Sequence, residues 1–268
     1  GLSPEDVASL VAPIEIGFVE LDPPEPGEGD PEEDAEAAAR MIASFFAAIV
    51  LLTTIMMFGQ YVAMGIVEEK QNRVVEVVLA KIRTTSLLIG KVFGIGALGL
   101  LQVTALGAAA VIGLVVVPLD NIDVPDLTSI GIAAVFWLIF WFVLGYLVYS
   151  FLYATLGATI SRQEDLQSVA FIPALAIMPG YFIVTIGLSS GGESSLVKWA
   201  SLLPIWSPIV MPFRINLGVA AVWEIAVAIA LALLTIGVLV FIGARVYRGA
   251  ALRTGARVSL REAWSSGD

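Results

Sequence analysis

Five stretches of this chain contain no charged residue at all: 41–67, 92–119, 127–161, 166–192 and 225–244. A helix needs roughly 20 residues to cross a hydrocarbon core of ~30 Å, and each stretch is at least that long. Backbone N–H and C=O groups find no water in lipid, so runs this apolar must satisfy them within a helix. The alternating polar and apolar residues of a barrel strand are missing. The expected fold is therefore an all-α membrane protein, a bundle of about five transmembrane helices near 41–67, 88–117, 129–158, 169–189 and 221–245.

Composition agrees. Of 268 residues, 58% are hydrophobic and 14% charged, whereas soluble domains sit near a quarter charged. The formal charge of −10 is unevenly spread. Residues 1–40 hold 12 acids against one base, Arg40, and the rest of the chain is close to neutral. Neither cysteine nor histidine occurs. That removes thiolate and imidazole metal sites, cysteine or serine–histidine nucleophiles and histidine-ligated haem. No cofactor is expected on the chain, and nothing suggests nucleic acid as a partner.

Charge asymmetry sets an expected orientation. Lys70, Arg73, Lys81, Arg83 and Lys91, then Arg162, then Arg245, Arg248, Arg253, Arg257 and Arg261 all fall on one side. The other side has Arg40, Lys198 and Arg214, with an acidic loop at Asp120–Asp126. By the positive-inside rule the C-terminus is cytoplasmic and the first 40 residues face outward, in a cell membrane. Three regions result: an acidic extracytoplasmic arm (1–40), a transmembrane permease region (41–246) and a cytoplasmic tail (247–268). The arm is Pro/Gly-rich and acidic over 22–31, which marks a linker. Glu32 to Arg40 should extend span one outward, and 7–21 alternates loosely like a strand. An outward arm with no signal peptide or initiator Met leads us to expect that an upstream helix precedes it; direct translocation of a short acidic segment is the alternative.

The connector after span one, Glu68 to Arg83, places Val74, Val75, Val78, Leu79 and Ile82 on one helical stripe, with Glu69 and Arg73 a favourable i, i+4 pair. An amphipathic helix is expected here, followed by the turn Arg83–Ser86 and re-entry at Gly90-Lys91. Composition alone favours an interfacial helix with snorkelling bases; a docking surface is the functional alternative. Between spans four and five, residues 193–217 are too short for a domain. They should form an external re-entrant or interfacial hairpin, with tryptophans at headgroup level. Pro173 and Pro179 should kink span four and, because kinks commonly accompany discontinuous helices near substrate paths, they are candidates for a passage as well. Gln102 and, behind it, Gln60 are the best candidates for a passage, because an amide is harder to satisfy locally than a threonine hydroxyl. The run Gly94-Ile-Gly-Ala-Leu-Gly99 matches a dinucleotide fingerprint but lies within an uncharged span, so these glycines, with Gly107 and Gly113, are read as surfaces where helices pack closely.

In three places the chain resembles the type-2 ATP-binding-cassette export permeases. Glu69-Lys70, Arg73, Glu76 and then Gly90-Lys91 match the family's connector. Leu203-Pro-Ile-Trp-Ser-Pro to Arg214 is similar to its external Pro-x-x-Ser-Pro…Arg segment, and Tyr247-Arg248 through Gly255 to its tail. The closest likeness is to the subgroup with a large external domain, which includes sodium-extruding permeases, here lacking the first helix. The resemblance implies that Glu68, Glu69, Lys70, Arg73, Glu76, Lys81 and Arg83 couple to an ATPase subunit that carries ATP and Mg²⁺. It further implies that a second permease copy or homologous half completes the transporter, and that Pro204, Ser207, Pro208 and Arg214 build the external hairpin. The five span cores contain no Asp, Glu, Lys, Arg or His, so an ion relay within the membrane is absent and energy should enter from a partner. A non-transporting anchor or assembly subunit is the alternative function.

Overall fold

The computed structural model describes residues 31–72, 84–116 and 128–251. Those residues form helices and no strand: α1 (Pro31–Gln71), α2 (Thr84–Val116), α3 (Thr128–Ala158), α4 (Leu166–Ser189), α5 (Ser195–Leu202), α6 (Ser207–Asn216) and α7 (Val222–Ala251). A single 3₁₀ turn, Gln163–Asp165, leads into α4. Five of the helices (α1, α2, α3, α4 and α7) are long and apolar enough to cross a membrane. The helical bundle and the number of spans agree with the sequence reading.

The helix ends follow local rules. α1 opens with proline in its first turn and acids directly behind it, then ends on Lys70, complementing the helix dipole at both ends. It begins at Pro31, so the stretch from Glu32 to Arg40 does prolong span one. α2 begins at Thr84, six residues before the expected re-entry at Gly90, so Thr84, Thr85 and Ser86 are helical and not part of a turn, a correction to the sequence reading. α6 stops because Gly218 adopts φ +74°. Its N–H bonds Ile215 O and that of Val219 bonds Arg214 O, a Schellman ending that a side chain at Gly218 would strain. The arm 1–30, the stripe Val74–Ile82 and the tail beyond 251 lie outside the described residues, as does the strand-like segment 7–21.

α3 is the centre of the bundle. Half of its apolar window is buried, against 11% for α7 and 17% for α2. In lipid the hydrophobic effect does not drive helices together, so packing and hydrogen bonds must do it. α3 supplies large aromatic groups and its neighbours supply glycines. A Cβ on Gly96 would meet the Tyr146 ring at 2.5 Å, and one on Gly99 would meet Phe142 at 2.7 Å. Gly107 approaches Val135 in the same manner. Three of the expected small-residue contacts thus face α3. Gly94 and Gly113 do not, having nothing within 4 Å. Where α1 crosses α3, Gly157 lies against the backbone of Ala63.

The pair α5–α6 is a re-entrant hairpin rather than an interfacial one. Pro208 in the first turn of α6 sits against Gly145, where a Cβ would stand 2.5 Å from Pro208 Cβ and 2.6 Å from Ile55 Cδ1. Gly145 and Ile55 lie near the middle of α3 and α1, so the tip reaches mid-depth in the bundle. Two hydrogen bonds pin it there: Tyr149 Oη donates to Ile205 O (2.7 Å) and Trp206 Nε1 to Ala176 O (2.8 Å). Trp206 is therefore not at headgroup level, a correction to the sequence reading; its ring is held inside by that carbonyl. Trp199, by contrast, is 69% exposed.

The α4 prolines explain why carbonyls are available. Proline has no N–H and its ring crowds the preceding turn, which frees carbonyls three and four residues back. Ala170 and Ala176 stand three residues before Pro173 and Pro179. Each accepts a side-chain donor from a neighbouring element, Tyr153 Oη at 3.4 Å and Trp206 Nε1 at 2.8 Å.

Candidate functional site

Two polar clusters stand at opposite ends of the apolar bundle. At the basic end, α1 finishes in Glu68, Glu69 and Lys70. Glu68 is exposed. Glu69 forms an ion pair with Lys91 of α2 at 2.6 Å. Lys70, only 5% exposed, donates from Nζ to Ala158 O at the C-terminus of α3 (3.1 Å). The last carbonyls of a helix lack partners within it and carry its negative end, so a buried ammonium is satisfied there. Lys91 reaches its acid across the face of Gly65, where a Cβ would stand at ordinary contact distance from the lysine stem, 3.5 Å from its Nζ. These contacts tie three helices together. Glu69 was expected to pair with Arg73; its partner among the described residues is Lys91. Arg73, Glu76, Lys81 and Arg83 lie outside the described residues.

At the opposite end, the hairpin is locked to the start of α7. Arg214, 2% exposed, donates from Nη2 to Glu224 (2.8 Å) and to Val219 O (3.2 Å), from Nη1 to Ser201 Oγ (2.8 Å) and from Nε to Gly192 O (3.3 Å). Glu224, 1% exposed, also accepts from Ala221 N at 3.1 Å and faces Lys198 Nζ at 3.0 Å. The Lys198 ammonium lies over the Trp223 ring, 5.8 Å from its centre. One guanidinium fork therefore holds the end of α4, α5 and the α6–α7 turn around a single buried carboxylate. Charged groups survive such burial only when paired and hydrogen-bonded.

Sequence reasoning chose Arg214 but missed Glu224. It directly precedes the charge-free run 225–244, yet it sits in the first turn of α7 and is only 1% exposed. The signal was present as an acid three residues after the helix-capping position, Ala221-Val-Trp-Glu224. The usual serine or threonine at the cap is absent, which hid it. Of the other hairpin candidates, Pro208 and Ser207 are buried at the tip, and Pro204 is half-buried in the turn.

Gln60 and Gln102 are half-buried, as is Pro179, while Pro173 is buried within α4. None of these four lines either cavity described below. The threonines follow the structural reading: Thr53, Thr155 and Thr185 donate to carbonyls of their own helices. One cavity of about 340 Å³ opens between α1, α2 and α3, walled by apolar groups such as Phe46, Val50, Leu106 and Leu138, with Arg40 and Asn216 at its rim. A second, of about 530 Å³, lies between α2 and α7 at the basic end.

Five helices of membrane-spanning length around a hairpin sunk among them define a multi-pass helical membrane protein. Residues 9–245 match the model of the ABC-2 family transporter proteins, and the chain belongs to that family. It is also similar to the "Uncharacterized protein YhaP" of Bacillus subtilis (strain 168), at 28% identity over 257 residues. That alignment covers 94% of this chain and 60% of the relative, so the chain spans only part of that relative's length. No solved structure matches.

Proposed function

We propose that this chain is the permease subunit of an ABC exporter, moving a substrate outward with energy from ATP hydrolysed on a separate subunit. Membership of the ABC-2 transporter family over residues 9–245 carries the reading. In this reading ATP and Mg²⁺ belong to the partner, a second permease copy or homologous half completes the pathway, and the basic end faces the cytoplasm of a cell with the N-terminal arm outside.

The geometry gives such a machine a route for force. α1 runs unbroken for 41 residues and delivers Glu68–Lys70 to the basic face. Glu69 ties that end to α2, and Lys70 ties it to α3. A push on the connector would be shared by three helices at once and carried to the far face along rigid rods. At the far face, the Arg214–Glu224 lock is the element that has to shift if the hairpin is to move away from α7.

The test is affinity purification of the full-length protein from its own membranes, followed by ATP-dependent substrate uptake in inverted vesicles. An ATP-binding subunit should co-purify, and Glu69→Lys should weaken its retention. A Glu69→Lys/Lys91→Glu pair should restore the internal ion pair and thermal stability without restoring retention. Well-folded protein with no ATP-binding partner and no ATP-stimulated uptake would refute the proposal and favour an anchor role.

A further inference from the structure

We propose that the cleft between the first turn of α2 and the last turns of α7 is a binding site for an anionic glycerophospholipid. The inference does not depend on transport. The cleft, of about 530 Å³, is lined at one end by Arg245, Arg248 and Thr85 and at the other by Gly237, Val240 and Phe241. No acid lines it. Gly237 to Arg248 is eleven residues, or about 16 Å of helix. That length passes from a wholly apolar wall to a doubly cationic mouth, the same polarity gradient as acyl chain to phosphate in one leaflet.

Three features converge on a phosphate at the mouth. Arg245 and Arg248 are three residues apart and so project from one face of α7. A guanidinium offers paired donors to phosphate oxygens, and such charge-assisted bonds are short and strong. Thr85 belongs to the first turn of α2, where backbone N–H groups have no partner within the helix and the positive end of its dipole lies. Each feature favours a net anion over a zwitterion, whose own ammonium competes for the phosphate.

The apolar wall accounts for the rest of the lipid. A Cβ built on Gly237 meets nothing within 4 Å, so an acyl chain can lie directly on the helix backbone there. Phe241 is 62% exposed and forms a flat side of the groove. On its far side α7 is held close to the bundle, since Gly243 lies against Thr155 and Leu88. The cleft is thus a feature of two helices already fixed in position, which lets it discriminate between headgroups. Basic pockets between transmembrane helices are a recurrent setting for anionic headgroups.

The experiment uses the purified full-length chain, stripped of lipid in detergent and then incubated with phosphatidylglycerol or phosphatidylcholine. Retained lipid is counted by native mass spectrometry. The wild type should keep phosphatidylglycerol in preference, and each of Arg245→Gln and Arg248→Gln should reduce that retention roughly fivefold. Gly237→Phe, which fills the wall while leaving both arginines, should lower it as well. Arg162→Gln removes a charge from another part of the basic face and should leave retention unchanged. Equal retention of the two lipids would overturn the proposal, as would an equal loss in Arg162→Gln. Displacement of phosphatidylglycerol by millimolar inorganic phosphate would also overturn it, in favour of a soluble anion.

Discussion

Replacing Glu224 by glutamine tests the lock most directly. The amide keeps the shape of the side chain and can still accept from Ala221 N, but it leaves the guanidinium of Arg214 charged and almost wholly enclosed. Arg214 is 3% exposed by its side chain and Glu224 is 1% exposed, so solvent cannot compensate. Removing one partner of a buried pair costs about 3–5 kcal/mol. Lys198 also faces Glu224, yet its side chain is 47% exposed. Water takes over from its lost partner, and Lys198→Gln should cost under about 1 kcal/mol. Arg214→Met should be as damaging as Glu224→Gln, because it also strands the carbonyls of Gly192 and Val219. The double variant removes both charges together. Its cost should fall short of the sum of the singles by about 1–3 kcal/mol. Unfolding in mixed SDS and maltoside micelles, followed by tryptophan fluorescence, measures all four variants; Trp199 and Trp223 sit beside the lock. Additive singles, or a Lys198→Gln cost equal to that of Glu224→Gln, would show that the guanidinium and carboxylate are not a coupled buried pair.

Two further outcomes are expected. Gly145→Leu should force Pro208 and the hairpin tip out of mid-bundle, destabilising the protein by about 1–3 kcal/mol; a cysteine placed at Ile205 should then react faster with a water-soluble thiol reagent than in the parent. Because the chain has no native cysteine, Ser86→Cys and Ser195→Cys give clean topology probes. They should label from opposite sides of sealed vesicles, and labelling from one side would contradict the arrangement of spans.

What could be read in advance depended on the range of the interactions involved. Spans follow from local composition, since each charge-free run must bury its own backbone bonds. The early start of α1 was also legible, from the acid-rich stretch after Pro31. The depth of the hairpin was not. Proline, serine and tryptophan suit an interfacial loop as well as a re-entrant one, and only the bare Gly145 on a distant helix makes space for Pro208. Glu224 was missed for a related reason. A carboxylate at a helix start normally looks outward to water, and what draws this one inward is Arg214, ten residues earlier and in another helix. The Glu69–Lys91 pair was hidden by a nearer candidate partner at i+4. Sequence spacing favours that neighbour, whereas the bundle brings the next span within reach.

The tyrosines of α3 bear on how such a chain can diverge. Tyr146, Tyr149 and Tyr153 each donate to a main-chain carbonyl of another element: Val92 in α2, Ile205 in the hairpin turn and Ala170 in α4. Every residue type offers the same carbonyl. The three bonds therefore do not depend on which side chain stands at 92, 205 or 170. Val92 and Ala170 are held by their burial in the core, whereas Ile205 is exposed, and the outer faces of these elements can change while attachment to the central helix persists. Attachment is concentrated in three phenols on one rod, leaving the outward faces of the surrounding helices open to change with their lipid surroundings.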